Sequence, residues 1–434
     1  MSGPAETTGR KLPGGRMLGL FALFAAFFVV FGLLVSPLPE IARGLGAILF
    51  SRDTLITDYI GVGGMGAAFV NSGLLALLFC ALYRLSGAPV TGASLACLFL
   101  ALGFALFGKN LLNAWFIPAG VWLYSKFRRE AFASHINVAI FGAALAPIFS
   151  EILFSTLLPV AASLPLSIAT SLLIGFILVP VAGQLFHAHM GFSLYNMGFT
   201  AGIVGTVVVA LYKSYGFVPE PILIWTTGHN LLLGSFLATV FGAMIAAGYA
   251  IDRTAPRRMI DLVSLSGQSP CDFTQLIGAG PTWLNMGLCG LIGMLYVLMV
   301  GGDLNGPTIG ALFTIVGFAA FGKHPRNIVP IMAGVFLGTI LKPLTATDPT
   351  IVLAALFGTT LAPIPGKFGW RWGLVAGFVH LSVAQTVGQL HGGLNLYNNG
   401  FAAGIVASVL APIMIAVSSR GAVGQGKARE ADPV

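Results

Sequence analysis

Residues 194–204 read LYNMGFTAGIV and residues 396–406 read LYNNGFAAGIV, so that nine of eleven positions are identical. Further stretches recur in the same order along the chain. They pair VNSGLLALL (70–78) with LNMGLCGLI (284–292), LGFALFGKN (102–110) with VGFAAFGKH (316–324), IPAGVWL (117–123) with IMAGVFL (331–337), and FGAALAPI (141–148) with FGTTLAPI (357–364). An ordered series of matches of this kind indicates a tandem repeat.

The composition indicates a membrane protein. Of the 434 residues, 56% are apolar and 8% are charged, and the mean hydropathy is +0.91. A soluble protein carries about 25% charged residues, so this chain cannot cover a water-facing surface, and a soluble enzyme is excluded. Long unbroken apolar runs favour membrane helices over the alternating strands of a barrel. We therefore expect the lipid bilayer as a partner and no nucleic acid, because the basic residues are not interleaved with aromatics.

Each repeat contains seven apolar segments, which predicts an all-α membrane protein of about 14 hydrophobic segments, with broken or re-entrant helices. The run 17–35 is expected to be a retained span rather than a cleaved signal peptide. Since seven is odd, the second repeat would enter the membrane from the opposite side. The predicted parts are a cytoplasmic tail (1–16), a first repeat (17–213), a periplasmic connection (214–228), a second repeat (229–418) and a cytoplasmic tail (419–434).

The basic residues favour this inverted topology. With the N-terminus inside, 17 of the 22 Lys and Arg residues fall on the cytoplasmic side and 5 fall outside. Cytoplasmic loops of membrane proteins carry this excess of positive charge. The sequence therefore predicts that both termini are cytoplasmic.

The first candidate site is a pair of matching polar stretches, 189–199 and 391–401, which we call the twin motifs. Broken, polar stretches at matching positions of two repeats are typical of transport pathways. Asn196 and Asn398 are placed to cap the following helices, whose free N–H groups would attract an anion or a carbonyl oxygen. The alternative is a capped hairpin that binds nothing. The further candidate residues of the motifs are Tyr195, Tyr397, His189 and His391.

Two more matched pairs are candidates. Asn71 and Asn285 lie early in apolar segments, where an amide contacts either a solute or a neighbouring helix. Lys109 and Lys323 each follow Phe-Gly at a segment end. They could attract an anion at the two mouths of a pathway, or their side chains could extend to the lipid headgroups.

The acidic residues narrow the solute class. All fourteen fall in tails, loops or segment ends, and a proton-coupled pump or a cation site usually needs an acid inside the membrane. We therefore expect a small neutral or anionic polar solute. The four cysteines form no CxxC, and the chain has no HExxH or P-loop, so we expect no metal, no cofactor and no enzymatic activity.

The paired LYNxGFxAGIV motifs, with the FGK and LAPI matches, resemble a functionally uncharacterised family of bacterial integral membrane proteins built from a tandem repeat. This likeness covers about residues 17–418 and implies a bacterial inner-membrane location. The chain is also similar in architecture to urea transporters, whose inverted halves each carry an Asn near a Gly-Leu run, as in VNSGLL and LNMGLC. It departs from them in having about seven segments per half rather than about five, and it lacks their Pro-Trp signature.

These observations predict an integral membrane transporter or channel with a pathway between two inverted repeats. The alternatives are a passive urea- or amide-type channel, and a membrane-embedded enzyme or scaffold that transports nothing. A homo-oligomer is possible for each of these classes.

Overall fold

The computed structural model describes residues 11–155 and 157–429, so residues 1–10 and 430–434 of the two predicted tails lie outside it. The described chain is almost entirely helical. The first half contains α1 (Gly14–Val35), α2 (Leu38–Leu49), α3 (Tyr59–Gly63), α4 (Met65–Ser86), α5 (Gly92–Phe104), α6 (Phe116–Arg128), α7 (Ile136–Gly142), α8 (Ala146–Leu153), α9 (Val160–His189) and α10 (Asn196–Ser214).

The second half repeats this order of helices. It contains α11 (Asn230–Ile251), α12 (Ala255–Ser264), α13 (Phe273–Leu276), α14 (Ala279–Met299), α15 (Gly306–Phe318), α16 (Pro325–Leu341), α17 (Pro349–Gly358), α18 (Pro363–Phe368), α19 (Trp370–Val387) and α20 (Asn398–Arg429). Two short strands, β1 (Ile56–Thr57) and β2 (Leu223–Ile224), pair in parallel. The two repeats predicted from the sequence are thus two equivalent series of helices.

The length and composition of the helices fit a multi-pass membrane protein. In the described part of the chain, eight helical stretches are long and apolar enough to cross a membrane. They are Gly14–Val35, Met65–Ser86, Ile136–Leu153, Val160–His189, Asn196–Ser214, Asn230–Ile251, Ala279–Met299 and Asn398–Ser419. Each of the other predicted segments also contains a helix, but a total of fourteen crossings and the re-entrant helices stay predictions.

The outer surface of the long helices is apolar. Leu34 is 79% exposed, Leu85 is 84% exposed and Leu231 is 90% exposed. Such side chains are costly in water but suit contact with lipid tails, which are as apolar as leucine. The exposed faces therefore support the assignment to the membrane.

Two short helices, α5 and α15, form the centre of the molecule. Each has 13 residues, which is a length of about 20 Å, and α15 is buried over its whole length. The backbone of Gly103 packs on Gly310, and Gly317 packs on Ala96. These contacts make the two repeat-equivalent helices antiparallel, which is the relation that a two-fold axis perpendicular to them produces.

Each central helix is capped partly by the other repeat. Asp272 accepts a hydrogen bond from the Gly92 amide at 3.0 Å, and its counterpart Asp58 accepts one from the Gly306 amide at 3.2 Å. Within each repeat, capping boxes formed by Thr91 with Ser94 and by Asn305 with Thr308 complete the helix starts. These matched polar residues thus tie the centre together.

Candidate functional site

The twin motifs meet at the axis that relates the two repeats. A β-carbon added to Gly198 would lie 2.9 Å from the α-carbon of Gly400, so only glycine permits this approach of α10 and α20. Beside this contact, the rings of Tyr195 and Tyr397 lie with their centroids 5.6 Å apart. The contacts across the axis are therefore made by the glycines and tyrosines of the motifs.

The asparagines of the motifs bind their own repeats. Asn196 Nδ2 donates to the Ala182 carbonyl at 2.9 Å, and Asn196 Oδ1 lies 3.0 Å from His189 Nε2. Asn398 makes the same contacts with the Ala384 carbonyl (3.1 Å) and with His391 (3.0 Å). The expected cap is absent from α10, where Asn196 is the first helical residue and its amide is already used by α9. The amides instead brace the turn between the last two helices of each repeat.

The second matched pair, Asn71 and Asn285, holds the segments that carry the lysines. Asn71 Nδ2 donates to the carbonyls of Ala105 (2.7 Å) and Lys109 (3.0 Å). Asn285 Nδ2 donates in the same way to Ala319 (2.8 Å) and Lys323 (2.7 Å). Both side chains are fully buried, so they fix the turn after α5 and the turn after α15.

The expected position of the lysines at pathway mouths or near headgroups does not hold, because both side chains are completely buried. Lys323 Nζ donates to the Tyr195 hydroxyl and, at 2.8 Å, to Thr359 Oγ1. It also lies 4.5 Å from the Tyr195 ring centroid and 5.6 Å from that of Phe318. Lys323 of the second repeat thus binds the motif tyrosine of the first.

Lys109 occupies the equivalent position but has poorer partners. Its Nζ donates to the Ile140 carbonyl at 3.4 Å and lies 5.5 Å from the centroid of the Phe104 ring. The ring of Tyr397 packs on the same Phe104 at 4.9 Å, yet its buried hydroxyl has no hydrogen-bond partner among the described residues. Ala143 stands where the second repeat has Thr359.

Two cavities reach the twin motifs. The first has a volume of about 500 Å³, and the second has a volume of about 330 Å³. Many residues that line the first cavity have counterparts in the other repeat that line the second. Examples are Leu194, Asn196 and Phe321 in the first cavity, which correspond to Leu396, Asn398 and Phe107 in the second. Tyr195 and Tyr397 both line the first cavity, and neither lysine lines either one.

The cavities lie at opposite ends of the central helices. The first is lined by Ala93 in the first turn of α5, and the second by Phe107 just after α5 ends. Since α5 is about 20 Å long, the two cavities reach the twin motifs from opposite ends of this helix.

Sequence reasoning missed three buried acids. Asp53 and Asp58 are 0% exposed and Glu151 is 1% exposed, although the first two lie in a loop of the sequence. Glu151 forms an ion pair with Arg52 at 2.5 Å. The recurrence of Asp58 as Asp272 was a usable signal for a structural role. Asp53 gave none, because three of its five partners, Asn110, Asn113 and Ser150, are distant in sequence.

Asp53 accepts hydrogen bonds from five side chains, all of which lie outside the membrane-spanning segments or at their ends. The donors are Ser51 (3.3 Å), Tyr59 (2.9 Å), Asn110 (3.3 Å), Asn113 (2.9 Å) and Ser150 (2.8 Å). Burial raises the pKa of Asp53 to about 7, although the hydrogen bonds from Ser150 and Tyr59 act in the opposite direction. This acid lies at the end of α5 that faces the second cavity.

In the part of the chain that the structure describes, no group of three or more His, Cys, Asp and Glu side chains is placed to hold a metal ion. The polar groups at the twin motifs include the two buried lysines, the two phenols and the amides of the cavity walls. This set can bind an anion or a neutral polar molecule through hydrogen bonds.

Comparison with known proteins identifies a family. No curated protein and no solved structure matches the chain. The family model described as "Protein of unknown function (DUF1576)" matches residues 38–214 and 251–416, which lie in the two repeats. The chain therefore belongs to the DUF1576 family.

Proposed function

We propose that the protein is an integral membrane transporter or channel that moves a small anionic or neutral polar solute between the two repeats. The observation that carries the proposal is the position of Lys109 and Lys323. Both are buried close to the twin motifs, which line two cavities, and neither forms an ion pair with a carboxylate in the described part of the chain.

The chemistry of a buried lysine supports an anionic solute. An ammonium group that is removed from water without an opposite charge is strongly destabilised. A passing anion would supply that charge for as long as it is bound. A neutral lysine would still donate hydrogen bonds to a polar solute.

The arrangement of the cavities supports a pathway. Equivalent walls at opposite ends of α5 suit two vestibules, and a barrier at their junction suits alternating access or a gated channel. In the topology expected from the basic residues, the first cavity opens to the cytoplasm and the second to the periplasm. The proposal includes the bacterial inner membrane, cytoplasmic termini and a possible homo-oligomer, and it includes no cofactor and no catalysis.

A passive channel for urea or another small amide is the second candidate. It is favoured by the amides of the cavity walls, which are Asn137 and Asn196 in the first cavity and Gln385, Gln389, Asn398 and Asn399 in the second. Amides can donate to and accept from a neutral amide solute equally well.

Flux into proteoliposomes tests the proposal. We expect uptake of at least one of chloride, nitrate, formate, acetate and urea, and we expect the double variant Lys109→Gln, Lys323→Gln to lose at least about tenfold in anion flux. Lys213→Gln is the matched control, because Lys213 is exposed at the end of α10. Anion flux that survives the double substitution would contradict the role of the lysines, and the absence of any flux would favour a scaffold.

A further inference from the structure

We infer that the two lysine–tyrosine pairs are not equivalent, and that Lys109 with Tyr397 forms a binding site for one small monovalent anion. The inference rests on the proposed function and assigns its solute site to one of the two pairs. Lys323 with Tyr195 is, in this account, an internal bond that holds the repeats together.

The pair of Lys323 and Tyr195 is already hydrogen-bonded within the protein. Lys323 donates to the Tyr195 hydroxyl and to Thr359 Oγ1, while Thr359 donates its own proton to the Leu356 carbonyl at 2.5 Å. The cation also faces two aromatic rings, which stabilise positive charge. An anion would have to displace these partners in order to bind there.

The hydrogen-bonding groups of the other pair, Lys109 and Tyr397, are not fully used within the protein. Replacement of the threonine by Ala143 removes the hydroxyl that would bind Lys109, and the remaining contact with the Ile140 carbonyl is long at 3.4 Å. The hydroxyl of Tyr397 is buried and unpartnered among the described residues. Buried polar groups in folded proteins are nearly always satisfied. The unpartnered Tyr397 hydroxyl and the weakly bonded Lys109 ammonium both lie against the Phe104 ring, and together they indicate a ligand that accepts hydrogen bonds.

The chemistry of the site selects the ligand class. One ammonium group and one phenol are donors, and a single positive charge balances a single negative charge. A divalent oxyanion such as sulfate would bring a second charge into a buried site without a counter-charge. Tyr397 is 1% exposed and lines the first cavity, which is the side from which we expect a small anion such as nitrate or formate to approach.

Nitrate titration of the purified full-length chain by isothermal calorimetry tests the inference, with sulfate as the comparison ligand. We expect one nitrate per chain and much weaker sulfate binding. Tyr397→Phe should lower nitrate affinity about tenfold or more, because it removes a hydrogen bond to a charged group. Ala143→Thr should also lower the affinity, since it supplies Lys109 with the hydroxyl found at the second pair.

The matched substitution Tyr195→Phe makes the test decisive. It should lower the melting temperature, because Lys323 loses a partner, while nitrate affinity changes less than in Tyr397→Phe. Equal losses of affinity at the two tyrosines, or two nitrates per chain, would overturn the inference. Flux of a neutral solute without nitrate binding would overturn the inference alone, whereas the absence of both binding and flux would also overturn the proposed function.

Discussion

The two repeats share their central packing but differ at the turns that follow α5 and α15. In the first repeat, the turn carries Asn110 and surrounds the buried carboxylate of Asp53. In the second, His324 replaces Asn110, and Gly267 stands where Asp53 would be. A side chain at Gly267 would lie 2.0 Å from the Gly322 carbonyl oxygen, so backbone fills that space. Duplication thus kept the axis and let the surroundings of each lysine diverge.

The packing that the two repeats share at their axis predicts the largest loss of stability. Gly400→Leu should prevent recovery of folded protein, because its side chain would push directly into the backbone of α10 at Gly198. Gly198→Leu should be equally severe, since the axis makes the two positions equivalent. Gly242→Leu is the control, as that helical glycine faces open space. Recovery and melting temperature in detergent measure the effect, and a well-folded Gly400→Leu variant would contradict the contact.

The turn that differs between the repeats predicts a contribution of Asp53 to the pH dependence of stability. Its pKa of about 7 in the folded protein lies above the ordinary value of 3.8, so between these values the folded state holds a proton that the unfolded state has lost. The free energy of unfolding should therefore fall as pH rises through this window, by about 4 kcal/mol at most, and level off above it.

Asp53→Asn should remove this slope. Melting temperatures measured between pH 5 and pH 8 compare the variant with the natural protein. The other ionisable groups near this place, Asp58, Tyr59 and the Arg52–Glu151 pair, are present in both proteins and cancel in the comparison. Parallel pH profiles would show that Asp53 does not bind the proton.

Replacing the buried asparagines Asn71 and Asn285 should lower stability by a smaller amount, and unequally in the two repeats. Asn71→Ala and Asn285→Ala should each lower the free energy of unfolding by about 2 kcal/mol, because buried carbonyls lose their donors. Asn71 also accepts from the Leu111 amide at 3.2 Å, so its loss should cost slightly more. Nitrate affinity should fall only in Asn71→Ala, which loosens the turn that carries Lys109. A loss of affinity in both variants, measured by calorimetry, would contradict the asymmetry.

The sequence predicted the tandem repeat, the helical membrane class and the pairs of residues that correspond between the repeats. Each of these can be recognised from composition or from short motifs alone. It could not predict where Lys109 points, since a lysine at a segment end can either leave the protein or turn inward. Nor could it find the environment of Asp53, whose donors come from three separated segments. The sequence marked the twin motifs as a candidate site. In the structure, their glycines and tyrosines contact each other, while Asn196 and Asn398 brace the adjoining helices.

We propose that the two cavities open to opposite sides of the membrane. Cysteine labelling at Leu55 and Ser269 measures this most directly. They are repeat-equivalent, half-buried, and line the second and first cavity respectively. Each is replaced by cysteine in a Cys271→Ser background, because the other three cysteines are buried. A membrane-impermeant maleimide should label Leu55→Cys in cells with a permeabilised outer membrane, and Ser269→Cys only in inside-out vesicles. Labelling of both positions from the same side would contradict the account.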